Sequence, residues 1–454
     1  MFAVLLLLVA LPAMAVEKPQ ASAAPAVQVK LSEKTLPNGM RVLVVVNRSV
    51  PAVMHMLWFA AGSADEAPGK GGMAHFLEHW MFKGTPRFPE GAYSRAIDRV
   101  GGSSNAFTSR DYTAFFARVP KEFLPRLMEM EADRFRHFPT NPKLFEAERN
   151  VIVEERKMRS EASVEGMANE QASLHMYRHH PYRLPSIGFA HEILSMKLED
   201  LKAFYDTYYQ PANMVLIVGG DVEPETVFSQ AEKYYGGFKP GKRNLRNWTQ
   251  EPPQLGTVDL TLTHALARQN QWEHRYLAPQ GSTGKDGWKA DALRLLAYIL
   301  GAEPHGVLYQ QLIKRQNVAT AVNVGYTPLT VGPSSVDISF QPSPSTSRAQ
   351  MDAAYEKVMG DLLKNGVSDV QLRQAKDAMI AADIYGYEGI SGMPFRIGFA
   401  VAVGLPPAYI IDAAKRLEGI TKEQVNQVAR EVLAKPAVSL WLTPPAPKAA
   451  GGKP

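Results

Sequence analysis

Cysteine is absent from all 454 residues. That excludes disulfides, a thiol nucleophile and thiolate metal sites, so any metal must sit on His, Asp or Glu. A dense basic tract is also missing. The 50 basic and 45 acidic residues leave a formal charge of +5, spread along the chain, which gives nucleic-acid binding no support. Long apolar runs are scarce. One lies near the start, and no later run reaches the 18 residues that a membrane span needs.

The early run reads VLLLLVALPAMA over residues 4–15 and ends on small residues at Ala13 and Ala15. It is short for a spanning helix and has the length and ending of an export signal. The expectation is a signal peptide over 1–15, cleaved after Ala15, and a flexible mature terminus over 16–30. Export without cysteine fits a bacterial periplasm better than a disulfide-rich extracellular module, and no membrane contact remains once the signal is removed.

The length calls for two or three domains, each large enough to bury its own core. Asn38-Gly39 predicts a hairpin turn, and strands are expected over 42–46, 51–61 and on either side of Ser109-Arg110-Asp111. Helices are expected over 73–81, 93–100, 120–135, 142–160, 198–209 and 222–235. The stretch GGFKPGKRNLRNWTQEPPQL, 236–255, has linker composition. Beyond it helices and strands alternate again, with a last strand at 437–442 that could close a sheet. The fold class is therefore α+β, with two similar domains, 31–235 and 256–445, each a mostly antiparallel sheet packed against long helices.

Chemistry concentrates in two short stretches. The first is HFLEH, residues 75–79. On a helix His75 and His79 share one face, and Glu78 borders it. Two imidazoles beside a carboxylate suit a catalytic zinc site, in the inverse of the HExxH order, which occurs nowhere in the chain. The second stretch holds Glu146, Glu148, Glu154 and Glu155 on the helix from Pro142. The run alone does not choose a third ligand among them. Glu148 and Glu155 stack two turns apart, Glu154 points about 100° away, and Val151 and Ile152 are expected to pack the helix inward.

HFLEH followed 76 residues later by the last Glu of ERNVIVEE resembles the inverzincin, or pitrilysin-type (M16), metallopeptidases, in particular their short two-domain members. The resemblance covers about residues 31–445. It implies that His75, His79 and Glu155 are the metal ligands, that Glu78 is the catalytic base, and that Glu148 is an accompanying active-site carboxylate. It also implies that Asn105 and Ala106, in GGSSNAFTSRDYTAFF, pair with the backbone of an extended peptide substrate. The cofactor is then Zn2+, since nitrogen and oxygen ligands suit it, and the reaction is endopeptidic hydrolysis.

One departure from the family stands out. Its members often carry an Arg and a Tyr seven residues apart in the second half, where they bind substrate and stabilise the oxyanion. In the matching segment LYQQLIKRQNVAT, 308–320, Ile313 and Thr320 occupy those positions. The expectation is a metal-bearing subunit whose partner, a homologous subunit, supplies the Arg–Tyr pair, with a homodimer also possible. The alternative is a non-catalytic binding or scaffold protein of the same fold, which has no reason to keep the metal constellation complete. N-terminal sequencing of the protein from its native host should give Val16 as the first residue. An intact Met1 on soluble cytoplasmic protein would be the contrary result.

Overall fold

A computed structural model describes residues 29–387 and 389–446. The signal expected at 1–15, and all but the last residues of the stretch 16–30, lie outside the described residues.

The Asn38-Gly39 turn forms as expected. Gly39 takes φ +91°, a left-handed backbone that glycine adopts without strain, and the Asn38 side chain accepts from the Met40 N–H at 3.1 Å. This turn joins β1 (Lys30–Thr35) to β2 (Arg41–Val46). With β3 (Ala52–Phe59), β4 (Ser103–Thr108), β5 (Thr113–Pro120) and β6 (Met214–Gly220), they make a six-stranded sheet in the order β1-β2-β6-β3-β5-β4. The β2–β6 pair is parallel and the other neighbours are antiparallel.

The second sheet contains β7 (Val258–Thr263), β8 (Gln271–Ala278), β9 (Ala319–Tyr326), β10 (Ser334–Pro342) and β11 (Val438–Thr443), in the order β7-β11-β8-β10-β9. Its parallel pair is β7–β11. The wiring therefore repeats that of the first sheet, with β2, β6, β3, β5 and β4 matched by β7, β11, β8, β10 and β9. The last strand joins this sheet, as expected. It lies inside the sheet, between β7 and β8, because the preceding helix returns the chain to the sheet interior.

The first sheet is covered on both faces, which explains the unbroken apolar runs of β2 and β6. One face carries Val42, Val44, Leu57, Phe59, Phe115 and Leu216. It packs against α1 (Met73–Trp80), α2 (Ala92–Asp98) and α3 (Leu124–Arg134), with α4 (Pro142–Arg156) beyond. The other face carries Leu43, Met54, Met56, Trp58 and Ile217. It is covered by the helix Gly392–Ala402, which belongs to the second half of the chain. In return α5 (Val164–Met176) leaves the first half and lies on the second sheet, where Ala172 and Met176 cluster with Val438 and Leu277. The two halves thus exchange one helix each.

The segment 239–257 carries no helix or strand, as its composition predicts. It is nevertheless pinned. The Arg246 guanidinium makes two bonds to the Asp65 carboxylate, at 2.8 and 2.7 Å, and Asn244 donates to the same group at 3.0 Å. Asp65 lies eight residues before α1, so the connector is tied to the approach to the candidate site.

Gly398 is the point of closest approach in the helix exchange. A Cβ there would stand 2.2 Å from the Trp58 ring. An Ala in mid-helix normally adds about 1 kcal/mol of stability over Gly. Here Gly398→Ala should instead destabilise the fold by about 1–3 kcal/mol, the cost of overpacking a filled core, as measured by urea unfolding.

Candidate metal centre

The segment HFLEH folds as the centre of α1, and the helix begins under tight control. Gly72 takes φ +89° directly before it, and a Cβ there would meet the Ile187 carbonyl at 2.4 Å. The Glu66 carboxylate accepts from the Gly72 and Ala74 N–H groups, at 2.9 and 2.7 Å, and so satisfies two of the helix's free donors. Phe76, Leu77 and Trp80 are buried against the sheet and its neighbours. Phe76 stacks on Phe145 of α4 with ring centroids 4.7 Å apart, and Trp80 meets the same ring edge-on.

That contact sets the register of α4. Phe145, Glu148 and Ile152 face inward and are buried, and Glu155 follows two turns after Glu148. Val151 does not pack inward as expected. It is 51% exposed, because only Ile152 of the pair falls on the stripe that Phe145 sets against α1. The regular helix also ends earlier than expected, at Arg156, and passes into a wider π turn over Lys157–Glu161.

His75, His79 and Glu155 converge. One ligand atom from each lies within 4.8 Å of the other two. Glu155 Oε2 stands 3.4 Å from His79 Nε2 and 3.7 Å from His75 Nε2. It is a buried oxygen with no hydrogen-bond partner among the described residues, and such an atom is costly unless a cation satisfies it. A tetrahedral ion with bonds of about 2.0–2.2 Å separates its ligand atoms by about 3.3–3.5 Å. The donor set and its spacing therefore fit zinc.

The surrounding groups hold these three in place. Glu148 Oε1 accepts from His79 Nδ1 at 2.8 Å, which directs Nε2 toward Glu155. Glu148 Oε2 lies 2.5 Å from Lys83 Nζ. Glu155 Oε1 pairs with Arg159 at 2.6 Å. Burial pushes His75 down to about 3, so it is a neutral imidazole able to ligate. Burial also favours neutral His79, but the bond to Glu148 and the nearby Glu155 and Glu78 charges outweigh it and raise its pKa. Burial would raise Glu148 too, yet its bonds to His79 and Lys83 win and hold it below the usual carboxylate range.

Glu78 lies beside the triad without joining it. Its one hydrogen bond among the described residues comes from Thr108, whose hydroxyl donates to Oε2 at 2.6 Å. Burial raises the Glu78 pKa, and neighbouring Glu155 adds to the effect, against the Thr108 bond and His79. A carboxylate with raised basicity next to a metal triad can take up a proton from water.

Thr108 ends β4, the edge strand that carries Asn105 and Ala106. These pair with Phe116 and Phe115 of β5, and the other side of β4 is open. The Ala106 N–H donates to its neighbour's side chain, Asn105 Oδ1, at 2.8 Å. Alternation places Ala106 and Thr108 on the α1 face, so one strand presents both an open edge and the hydroxyl that touches Glu78.

Ile313 and Thr320 do not enter this cluster. Ile313 packs against the core of the second half, and the Thr320 hydroxyl donates to the Gln341 carbonyl at 3.2 Å. Lys314 lies over the Tyr309 ring, and Arg315 lines a cavity with Gln311 and Asp361. Sequence reasoning missed Glu66, Lys83, Thr108 and Arg159. Thr108 had a legible signal, since it is in step with Ala106 on a strand. The other three act through contacts that spacing alone does not predict.

Comparison with known proteins agrees with this arrangement. Residues 41–188 match the insulinase family (peptidase family M16), and residues 195–379 match the peptidase M16 inactive domain. An uncharacterised zinc protease of Mycobacterium tuberculosis is 26% identical over 424 residues, spanning 90% of this chain and 92% of that protein. The crystal structure of a protease from Helicobacter pylori superposes with TM-score 0.85 at 25% identity, over 92% of this chain and 100% of that one. The periplasmic protease PqqL from Escherichia coli matches with TM-score 0.78 at 18% identity, and this chain spans 48% of its length.

Thr108→Val removes the hydroxyl and keeps the strand's shape. It should leave zinc content and melting temperature unchanged and lower kcat for a peptide about tenfold, the loss of roughly 1.4 kcal/mol of positioning for Glu78. Stopped-assay kinetics alongside metal analysis check this.

Proposed function

This chain belongs to peptidase family M16 and is a zinc-dependent endopeptidase, and on that premise we propose how its residues divide the work. His75, His79 and Glu155 hold the metal, Glu78 is the general base, and Glu148 orients His79. The observation that carries this is the unpartnered Glu155 Oε2, buried beside two imidazole nitrogens.

Zinc, when bound, supplies Lewis-acid polarisation of the scissile carbonyl and acidifies the attacking water. The rest falls to the chain. Asn105 and Ala106 take the substrate as an added strand along the open edge of β4. Release of the Ala106 N–H from Asn105 Oδ1 frees a donor for the peptide backbone. Glu78 Oε2 is occupied by Thr108, which leaves Oε1 to remove a proton from the attacking water. As the water oxygen bonds to the carbonyl carbon and the C–N bond breaks, Glu78 passes that proton to the leaving amine nitrogen. Short, unfolded peptides suit strand addition better than folded proteins do.

The second half lacks the Arg–Tyr pair that the family often uses on the oxyanion. We infer that a homologous subunit provides it, closing its own second half over this metal. Neither the packed Ile313 nor Thr320, whose hydroxyl is engaged with Gln341, supplies such a donor here. The place of action is the periplasm, in keeping with the apolar run at 4–15 and with PqqL, described as a periplasmic protease.

Glu78→Gln should keep the metal and the fold and lose hydrolysis by about 10²–10⁴-fold, whereas Glu155→Gln should lose most of the metal. Near-normal turnover in the first variant ends the assignment of the base, and full zinc in the second moves the ligand elsewhere. Turnover per zinc should rise about 10²–10³-fold when a homologous chain bearing the Arg–Tyr pair is titrated in. High activity of the isolated chain, unchanged by that partner, overturns the two-chain reading.

A further inference from the structure

We propose that Lys83 is a positioning residue for the zinc site, acting on the ligand His79 through Glu148. The inference rests on His79 being a ligand, as proposed above.

The three side chains form one line of polar contacts. Lys83 Nζ lies 2.5 Å from Glu148 Oε2, and Glu148 Oε1 lies 2.8 Å from His79 Nδ1. Glu148 is buried, with its side chain only 8% exposed. Its polar partners among the described residues are these two groups, one at each oxygen. A buried carboxylate that holds an imidazole with one oxygen needs its other oxygen satisfied, or it turns toward water and releases the ring. Lys83 meets that need. It is placed to do so by the end of α1, where the Lys83 N–H bonds to the Trp80 carbonyl at 3.0 Å. A loop then returns and sets Glu90 Oε1 3.0 Å from the same ammonium. Lys83 is thus held from two sides and is mostly buried itself.

Arg159 supplies the contrast. It bonds Glu155 Oε1 at 2.6 Å, directly on a proposed ligand, but its side chain is 66% exposed. Water can replace an exposed partner at little cost. The better-shielded cation one step further from the metal, 19% exposed, therefore governs the site more than the exposed cation beside it.

The test measures zinc affinity of the full-length mature chain by competition with a chromophoric chelator, with the melting temperature of each metal-free variant recorded. Lys83→Met should weaken zinc binding about 10–100-fold, the usual effect of losing a partner behind a ligand. Lys83→Arg should stay within a few-fold of the unaltered chain, and Arg159→Gln should change affinity less than Lys83→Met does. In a Glu148→Gln background, Lys83→Met should add no further loss, because the route through Glu148 is already cut. Should Lys83→Met fail to fold, Lys83→Gln carries the same comparison, since it keeps a donor and removes the charge. Unchanged zinc affinity in folded Lys83→Met, or in folded Lys83→Gln where it stands in, overturns the proposal, and so does an equal loss with and without Glu148. If the unaltered chain binds no zinc, the metal-site reading itself fails, which is a different result from zinc bound indifferently to Lys83.

Discussion

The contact between α1 and α4 is the constraint on which the candidate site depends. Neither helix carries a complete ligand set. α1 brings two imidazoles and Glu78, and α4 brings Glu148 and Glu155. Phe145 stacks on Phe76 and meets Trp80 edge-on, and these large rings admit one register. That register puts Glu148 against His79 Nδ1 and leaves Glu155 Oε2 between the two Nε2 atoms. Packing of this kind is costly to shift by even a methylene. The aromatic contact therefore supplies the precision that loosely held acidic side chains lack.

The rest of the molecule keeps those two helices on a rigid base. The sheet below α1 is buried on both faces, and its far face is closed by Gly392–Ala402 from the other half. The reverse exchange lays α5, a short turn after Glu155, on the second sheet. The chain segment carrying the third ligand is thereby anchored in both halves. The Asp65–Arg246 pair adds a tie from the connector to the approach of α1. The two sheets share a wiring order, yet only the first half has acquired ligands at the helix facing its edge strand. In the second half, Ile313 packs against the core.

How much of this was legible depended on the range of the interaction. The i, i+4 spacing of His75 and His79 and the seven-residue spacing of Glu148 and Glu155 are local periodicities, and a helix obliges them to share a face. The turn at Asn38-Gly39 and the amphipathic strands were readable for the same reason. Val151 was misjudged because two neighbouring apolar residues cannot both lie on the narrow stripe that one aromatic ring defines, and sequence gives no measure of that width. The helix 392–402 and α5 escaped notice because their positions follow from the other half of the chain, and β9, an edge strand of the second sheet, was missed as well. The connector read as a flexible linker by composition, while Arg246 is committed to a carboxylate 181 residues away.

Three glutamates in this site have the same chemistry and three different roles in the proposed mechanism, and their partners account for the division. Glu148 has a cation at one oxygen and an imidazole at the other, and the two bonds hold it ionised against the cost of burial. Its lone pairs are spent on orientation. Glu155 has Arg159 on Oε1 and, among the described residues, no hydrogen-bond partner on Oε2, so one lone-pair face is turned to the centre of the triad. Glu78 receives only a hydroxyl, and burial with a neighbouring carboxylate raises its proton affinity. Environments that push like groups apart are the means by which one pocket can hold a structural anion, a ligand and a base together. The hydroxyl bonded to Glu78 belongs to the strand whose open edge suits a peptide, so substrate alignment and placement of the proposed base share one backbone. A shift of β4 that misaligned the peptide would also misplace the base.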